Sequence, residues 1–353
     1  MEPPPEAGER FLAEIREQPR AIRALLEHEA EIAAVAEAAR RCGSGIVRMV
    51  GHGSSDNAAS YGVYAFGLLP RWTALRDSIT LTVHYGSDIS MAGSIAIGLS
   101  QSGQTPDVVA YIERARAHDA LTVAVTNDVD SELARAAEAV VPLAAGPETA
   151  VAATKTYLNQ LAALVLLAAH AAGRGARFSA ALRDAADRLE EIFPALERRL
   201  PSVALPFAYV GRMFVIGRGS DFATAREIAL KLLETCRIAA EPLTATDLAH
   251  GPVAALDPLF PVWTIASRDQ TLPAVLEAAE RARRAGAMLI ASGTAADSVD
   301  GATAVLAVPP PAEPMLAPLL SVVPGQLFAW ALARAKGLDP DRPRGLSKVT
   351  LAQ

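Results

Sequence analysis

The sequence has little of what would indicate a metal centre, a disulfide scaffold or a nucleic-acid surface. Its two cysteines, Cys42 and Cys236, match no metal-ligand spacing and no disulfide framework, which favours a reducing compartment. The net charge is −6 and no segment is strongly basic, which argues against nucleic acid and anionic membranes as partners. The apolar run Leu161–Ala172 is shorter than a bilayer span, and the acidic, proline-rich N-terminus is unlike a signal peptide. We therefore expect a cytoplasmic protein that needs no metal or cofactor.

Hydrophobic residues, in contrast, make up 51% of the 353 residues, enough for two buried cores. Short apolar segments alternate with longer segments of helical periodicity, which predicts an α/β fold with parallel sheets covered by helices on both faces. In the first half we predict strands at Ile46–Val50, Ile79–Val83, Ile95–Leu99, Leu121–Thr126 and Ala139–Pro142.

The second half of the chain repeats the pattern of the first. Met213-Phe-Val-Ile-Gly-Arg-Gly-Ser resembles Met49-Val-Gly-His-Gly-Ser-Ser, and the segment after Gln270 resembles the segment after Gln104. Such internal similarity indicates a duplicated fold. The second copy has Ala266-Ser-Arg-Asp-Gln270 where the first has a Ser-Gln-Ser-Gly sequence, so we expect one phosphate site per chain.

The loop Ser100-Gln-Ser-Gly-Gln-Thr105 is the clearest candidate binding segment. It follows a predicted strand, and Thr105 and Pro106 suit the N-cap and first position of a helix. The free N–H groups at a helix N-terminus favour anions, and the loop's hydroxyls add neutral donors that suit a sugar phosphate. An ordinary polar turn would have a similar sequence. A second glycine loop, Gly51-His-Gly-Ser-Ser55, would also let the backbone approach a ligand closely.

Three further features carry groups capable of acid–base or nucleophilic chemistry. Glu227, Lys231 and Glu234 fall on one stripe of a predicted helix whose remaining surface is apolar, although a surface ion pair would show the same spacing. His250 lies before Gly-Pro in a helix end or loop, and Lys348 lies in an irregular C-terminal segment. Taken alone, the histidine could have a structural role and the lysine could simply be exposed to solvent.

Together these motifs resemble the isomerase half of glucosamine-6-phosphate synthase, which consists of two sugar-isomerase (SIS) domains. The resemblance runs from Phe11 to Lys348, nearly the whole chain. It implies two tandem domains with flavodoxin-like parallel sheets, at 41–175 and 200–337. Residues 1–40 would form an N-terminal tail and helices, and residues 338–353 a C-terminal tail that carries the catalytic lysine.

The resemblance also implies roles for individual residues. Glu234 matches the base that moves a proton between C1 and C2, His250 the ring-opening group supplied across a homodimer interface, and Lys348 the lysine that forms a Schiff base. Glu227 and Lys231 match further polar residues of the catalytic set. The implied substrate-binding residues are Ser54, Ser55, Ser100, Gln101, Ser102, Thr105, Val151 and Ser347. Carboxylate, imidazole and amine groups suit these steps on chemical grounds as well.

Several departures from the family pattern affect the expected substrate. His52 replaces a small thiol, Ala153 a serine and Leu233 a lysine, and the resemblance does not include a glutaminase domain. We therefore expect no glutamine amidotransferase activity and, as the reaction, hydrolysis of glucosamine 6-phosphate to fructose 6-phosphate and ammonia. A fructosamine-6-phosphate deglycase, another amino-sugar-phosphate isomerase and a non-catalytic sugar-phosphate sensor remain alternatives. A dinucleotide-binding protein is disfavoured because neither glycine loop completes G-x-G-x-x-G.

Overall fold

The computed structural model describes residues 7–348, which divide into two units. We call residues 18–148, 155–186 and 347–348 the N-terminal sheet unit, and residues 7–17, 149–154 and 187–346 the C-terminal sheet unit. The first segment and the 149–154 loop thus belong with the second half of the chain. The four-part domain division expected from the sequence stays a prediction.

Helices and strands alternate through both halves of the chain. The helices are α1 (Glu9–Arg16), α2 (Gln18–Leu26), α3 (Glu29–Cys42), α4 (Ser54–Leu68), α5 (Pro106–Ala117), α6 (Glu132–Ala136), α7 (Lys155–Ala171), α8 (Gly175–Ala204), α9 (Asp221–Cys236), α10 (Ala245–Ala249), α11 (Leu272–Arg284) and α12 (Ala317–Ala335). The strands are β1 (Ile46–Val50), β2 (Thr73–Arg76), β3 (Ile95–Leu99), β4 (Leu121–Thr126), β5 (Ala139–Pro142), β6 (Arg212–Gly217), β7 (Ala239–Thr244), β8 (Pro261–Ile265), β9 (Met288–Gly293) and β10 (Ala304–Ala307).

Each unit contains a five-stranded sheet in which every strand pair is parallel. The first sheet has the order β2-β1-β3-β4-β5, and the second has the order β10-β9-β8-β6-β7. Numbered within its own sheet, each has the flavodoxin-like order 2-1-3-4-5. The predicted α/β fold with a duplicated parallel sheet is therefore confirmed.

This strand order determines where each sheet can bind a ligand. In the first sheet the chain leaves β1 toward one edge and β3 toward the other, so a crevice opens at the carboxyl ends of these two strands. The loops that follow β1 and β3 are the two glycine-containing loops selected from the sequence. The fold thus brings two distant motifs to one edge of the sheet.

One predicted strand was wrong. Residues Thr80–His84 form a turn of π-helix, in which the Tyr85 N–H donates to the Thr80 carbonyl over 2.9 Å. The alternating β-branched residues of this segment predicted a strand, but Ile79 packs into a cluster with Tyr111 and Met91. The edge strand is β2, whose outer two residues are exposed and inner two half-buried, and it carries no apolar run that the sequence would reveal.

The most apolar long helix is α12. It is not α7, which contains most of the apolar run Leu161–Ala172. The segment Pro314–Ala335 has the length and apolar composition of a membrane-spanning helix. An 18-residue stretch of it has a mean hydropathy of 1.6, and 94% of that stretch is buried within the protein. It packs against α9, where a Cβ on Gly325 would lie 2.3 Å from Ile228 Cγ1. Its composition is explained by this burial.

Candidate active site

The loop after β3 folds back on itself through its own hydroxyl groups. Ser100 Oγ lies 3.0 Å from Thr105 Oγ1 and accepts a hydrogen bond of 3.1 Å from the Gly103 N–H. Gly103 has φ +64°, and a Cβ there would lie 2.0 Å from Ser131 Oγ. Only glycine fits this position, so the turn is fixed by both backbone conformation and space.

The N-terminus of α5 is presented by this loop. Thr105 occupies the N-cap position and Pro106 the first helical position, but the Thr105 side chain makes no capping hydrogen bond. Its hydroxyl contacts Ser100 instead. First-turn N–H groups without a side-chain cap favour an anionic ligand. Gln101 and Ser102 are half-buried beside this helix end.

The loop after β1 lies directly against the end of β3. A Cβ on Gly51 would lie 3.1 Å from the Leu99 carbonyl oxygen, and Gly53 has φ +55°. Ser54 and Ser55 open α4, but they differ in environment. Ser54 is half-buried, whereas Ser55 is buried and its Oγ accepts a hydrogen bond of 2.9 Å from Gln160 Nε2. The Ser55 hydroxyl is therefore engaged inside the unit.

The corresponding loops of the C-terminal sheet unit carry charged side chains of both signs. Asp221, the first residue of α9, is buried, and this burial together with nearby Asp269 raises its pKa to about 7, against hydrogen bonds from Ser267 and Thr224. Arg268 is engaged with Asp297 and the Thr294 carbonyl. The two neighbouring carboxyl groups of Asp221 and Asp269 disfavour a phosphate at this position.

The charged stripe of α9 is buried, so its interpretation as a surface ion pair is wrong. The side chains of Glu227 and Lys231 are fully buried, whereas Glu234 is 22% exposed. Lys231 Nζ lies 2.7 Å from Glu234 Oε2 and 3.4 Å from Glu227 Oε1. Buried charges are costly unless they are paired, and the lysine pairs with both carboxylates. Glu234 is the one member of this α9 triad whose side chain is partly exposed, although its Oε2 is buried against Lys231.

His250 lies at the end of α10. This helix begins with a capping box between Thr244 and Asp247 and ends at His250, which is exposed. Gly251 follows with φ +138°. Within residues 7–348 the His250 ring makes no hydrogen bond or ion pair, so it is available to a ligand or another chain.

Lys348 is held by a buried carboxylate in the loop before α7. Its Nζ lies 2.7 Å from Glu148 Oε2, and the Glu148 side chain is fully buried. The same carboxylate accepts hydrogen bonds from the Thr156 N–H, at 3.1 Å, and the Thr156 hydroxyl, at 2.7 Å. Ser347, next to it, is exposed. The hydrogen bonds from Thr156 hold the Glu148 carboxylate in place. The carboxylate in turn holds the Lys348 ammonium group.

The loop that carries Val151 is held by α1 and the C-terminal segment. The Val151 N–H donates to the Asp341 carbonyl over 3.2 Å, and the Asp341 carboxylate accepts from the Phe11 N–H over 2.8 Å. Glu14 of α1 accepts hydrogen bonds from the N–H groups of Thr149 and Ala150. Val151 is thereby fixed without any polar contact to His250 or the α9 triad among the described residues.

Sequence reasoning missed the carboxylates that position these groups. Glu148, Glu14 and Asp341 are each at most 6% exposed, but only the fold shows which groups they accept hydrogen bonds from. The one available signal was Glu148, an acidic residue inside a loop already selected for its neighbours. Within residues 7–348, no cluster of three or more histidine, cysteine or acidic side chains is arranged to hold a metal ion.

Comparison with known proteins identifies the family. The sequence profile of the SIS domain matches residues 46–170 and 207–335. The chain belongs to the SIS domain family. It is 34% identical over 345 residues to the glutamine–fructose-6-phosphate aminotransferase (isomerizing) of Pyrococcus horikoshii, covering 96% of this chain and 57% of that protein. The chain therefore spans little more than half the length of this SIS relative.

Solved structures agree with this assignment. A proposed phosphosugar isomerase from Silicibacter pomeroyi is 31% identical, with a TM-score of 0.83 over 94% of this chain and 99% of that one. The glucosamine-6-phosphate deaminase of Thermotoga maritima is 20% identical, with a TM-score of 0.79 over 98% of this chain and 100% of that one. The second likeness shows a shared SIS fold alone.

Proposed function

We propose that this SIS protein is a phosphosugar isomerase that deaminates glucosamine 6-phosphate to fructose 6-phosphate and ammonia. The observation that carries the proposal is the α9 triad, in which a fully buried lysine holds a partly exposed glutamate. Proton transfer between neighbouring carbons needs one base in a fixed position that reaches both. The Lys231 contact fixes the carboxylate of Glu234 for this role.

The remaining groups supply the other steps. The Ser100 loop and the start of α5 bind the phosphate, and His250 opens the sugar ring by moving a proton between the ring oxygen and the C1 hydroxyl. Glu234 then removes the proton from C2 of the open-chain aldehyde and delivers it to C1, while one proton of the C2 amine passes to the C1 oxygen, which leaves an imine at C2 and a hydroxyl on C1. The Lys348 amine adds to C2 and ammonia leaves. Water hydrolyses the resulting lysine imine to fructose 6-phosphate and regenerates the amine.

Related substrates use the same groups. A fructosamine 6-phosphate carries a nitrogen substituent elsewhere on the sugar, and galactosamine 6-phosphate differs only in configuration. The replacements at His52, Ala153 and Leu233 leave Glu234, His250 and Lys348 in place, so the reaction class follows from the residues more firmly than the sugar does. A sensor is less well supported, because binding alone does not need a buried lysine between two carboxylates.

Glu234→Gln tests the role of the base. The substitution keeps the shape of the side chain but removes its capacity to accept the C2 proton, so we expect turnover to fall by about 10²–10⁴-fold with phosphosugar binding retained. Glu241→Gln, at an exposed carboxylate on β7, is the matched control and should keep full turnover. Full turnover by the Glu234 variant would contradict the assignment.

We also propose that the active form is a homodimer in which the partner's copy of the chain supplies the histidine at position 250. The exposure of His250 and the absence of polar contacts to its ring among residues 7–348 support this. Mixing inactive His250→Ala and Glu234→Gln chains should then restore part of the activity. A mixture with no recovered activity, despite formation of mixed dimers, would contradict a shared site.

A further inference from the structure

A histidine in the loop after β1 contacts a buried carboxylate at the start of α5. His52 Nε2 lies 2.6 Å from Asp107 Oδ2, and both residues belong to the N-terminal sheet unit. The His52 side chain is 57% exposed, whereas that of Asp107 is 10% exposed. This pair connects the loop after β1 with the first turn of the helix that follows β3.

Asp107 depends on this contact. Its Oδ1 is buried and has no hydrogen-bond partner in the described part of the chain, where His52 is also its only ion-pair partner. An unpaired buried carboxylate is costly, and a negative charge in the first turn of α5 would repel an anion bound at the same helix end. The pairing with His52 offsets both effects.

The contact with Asp107 leaves the second ring nitrogen of His52, Nδ1, available to a ligand. A carboxylate only accepts hydrogen bonds, so Nε2 carries the proton that Asp107 receives. Nδ1 has no partner among residues 7–348, and in the cationic ring it is a second donor. Two glycines flank His52 in this loop. Gly51 packs closely against the end of β3, and Gly53 has φ +55°, a conformation that favours glycine.

The arginines within β1 and β2 are already paired. Arg48 of β1 binds Asp77 over 2.8 Å, and Arg76 of β2 binds Asp56. The chain as a whole carries a net charge of −6, so it creates no general positive field that would attract a phosphate. A phosphate at the start of α5 is therefore held by local groups, and the His52 ring, when cationic, adds a charged donor to the hydroxyl and N–H groups there.

We propose that His52 is a ligand of the substrate's phosphate group and that Asp107 orients its ring across the crevice between β1 and β3. The proposal rests on the proposed function in one respect, which is that a phosphate binds at the N-terminus of α5. It adds a cationic ligand to a site otherwise made of hydroxyl and backbone N–H groups. Asp107 acts as a positioning residue.

The test is His52→Gln, assayed both by turnover of glucosamine 6-phosphate and by calorimetric binding of inorganic phosphate. We expect KM and the phosphate Kd to rise at least tenfold while kcat changes less than threefold, because the phosphate contact contributes equally before and during the reaction. His28→Gln is the matched control, since it removes another exposed histidine–carboxylate pair, with Glu31, from the same unit. It should leave both constants unchanged.

Asp107→Asn distinguishes positioning from simple loop attachment. If Asp107 acts through His52, this variant weakens phosphate binding, and the His52→Gln/Asp107→Asn double variant binds no more weakly than His52→Gln alone. The double variant also leaves no unpaired buried charge, so it provides a folded protein if a single variant unfolds. A lower Tm with unchanged KM and phosphate Kd in the folded variants would reduce the pair to a structural contact and overturn the proposal.

The outcomes also separate this proposal from the proposed function. Phosphate binding that weakens in His52→Gln, in a wild-type protein without deaminase activity, would support the ligand and remove the enzyme assignment. Full deaminase activity with an unchanged phosphate Kd in His52→Gln would support the enzyme assignment and remove His52 as a phosphate ligand. Failure of the wild-type protein to bind phosphate or phosphosugar would overturn both.

Discussion

Glu148→Gln is the substitution whose effect follows most directly from the structure. The buried carboxylate of Glu148 accepts a hydrogen bond from Lys348 Nζ over 2.7 Å and two more from Thr156. Glutamine retains an oxygen acceptor for Thr156 but removes the negative charge that holds the ammonium group. Lys348 would then lose the contact that fixes its position, while the loop around Thr156 keeps its shape.

The magnitude follows from the type of contact. A hydrogen bond between charged groups stabilises by about 1.5–3 kcal/mol, and a factor of ten corresponds to about 1.4 kcal/mol. If Lys348 must occupy this position to form the imine, kcat/KM for glucosamine 6-phosphate should fall by about 10–150-fold. Removal of the amine itself in Lys348→Met should have a larger effect, because no imine forms at all.

Steady-state release of ammonia, with Tm measured in parallel, is the appropriate assay. Glu138→Gln is the matched control, since Glu138 accepts hydrogen bonds from the N–H and hydroxyl of Thr122 in the same manner but contacts no lysine. That control should keep wild-type activity. Wild-type kcat/KM in Glu148→Gln, combined with inactivity of Lys348→Met, would refute the idea that Glu148 positions the lysine.

Two further substitutions test the fold around the candidate site. Gly103→Ala places a Cβ 2.0 Å from Ser131 Oγ at φ +64°, so the free energy of unfolding measured in urea should fall by at least about 2 kcal/mol. Gly67→Ala in α4, with no atom within 4 Å of the new Cβ, is the control and should be neutral or stabilising. Equal stabilities of the two variants would contradict the packing described for the loop. Burial raises the pKa of Asp221 from about 4 to about 7, so the folded state retains a proton that the unfolded state releases. The wild type should therefore lose stability relative to Asp221→Asn as the pH rises from 4 to 7, by up to about 4 kcal/mol at pH 8, and a Tm difference independent of pH would contradict this.

The architecture was largely predictable from the sequence because buried parallel strands leave a strong pattern. β3 is a continuous apolar run, β1 and β4 are interior strands interrupted only by Arg48 and Thr122, and the duplication repeats the pattern from β6 onward. The edge strand β2 was not predictable, because its four residues pair on one side only and carry little apolar surface. The neighbouring π-helix has the alternating sequence of a strand, and tertiary packing of Ile79 decides its conformation.

The candidate site was predictable in its chemistry but not in its supporting contacts. Spacing placed Glu227, Lys231 and Glu234 on one stripe, yet burial alone distinguishes this triad from a surface ion pair. The contacts of Lys348 with Glu148 and of His52 with Asp107 join residues 200 and 55 positions apart, and no local pattern encodes such pairs. Candidate reactive groups can be proposed from residue type, whereas the carboxylates in contact with them are found only from the fold.

The most direct test of the proposed function is the stoichiometry of product release from glucosamine 6-phosphate by the purified wild-type protein. The assay measures ammonia and fructose 6-phosphate together, with galactosamine 6-phosphate and a fructosamine 6-phosphate as parallel substrates. We expect one ammonia for each fructose 6-phosphate formed from glucosamine 6-phosphate, and loss of both products in Glu234→Gln. Absence of turnover with all three sugars, while phosphosugar binding persists, would contradict the enzyme assignment and favour a sugar-phosphate sensor.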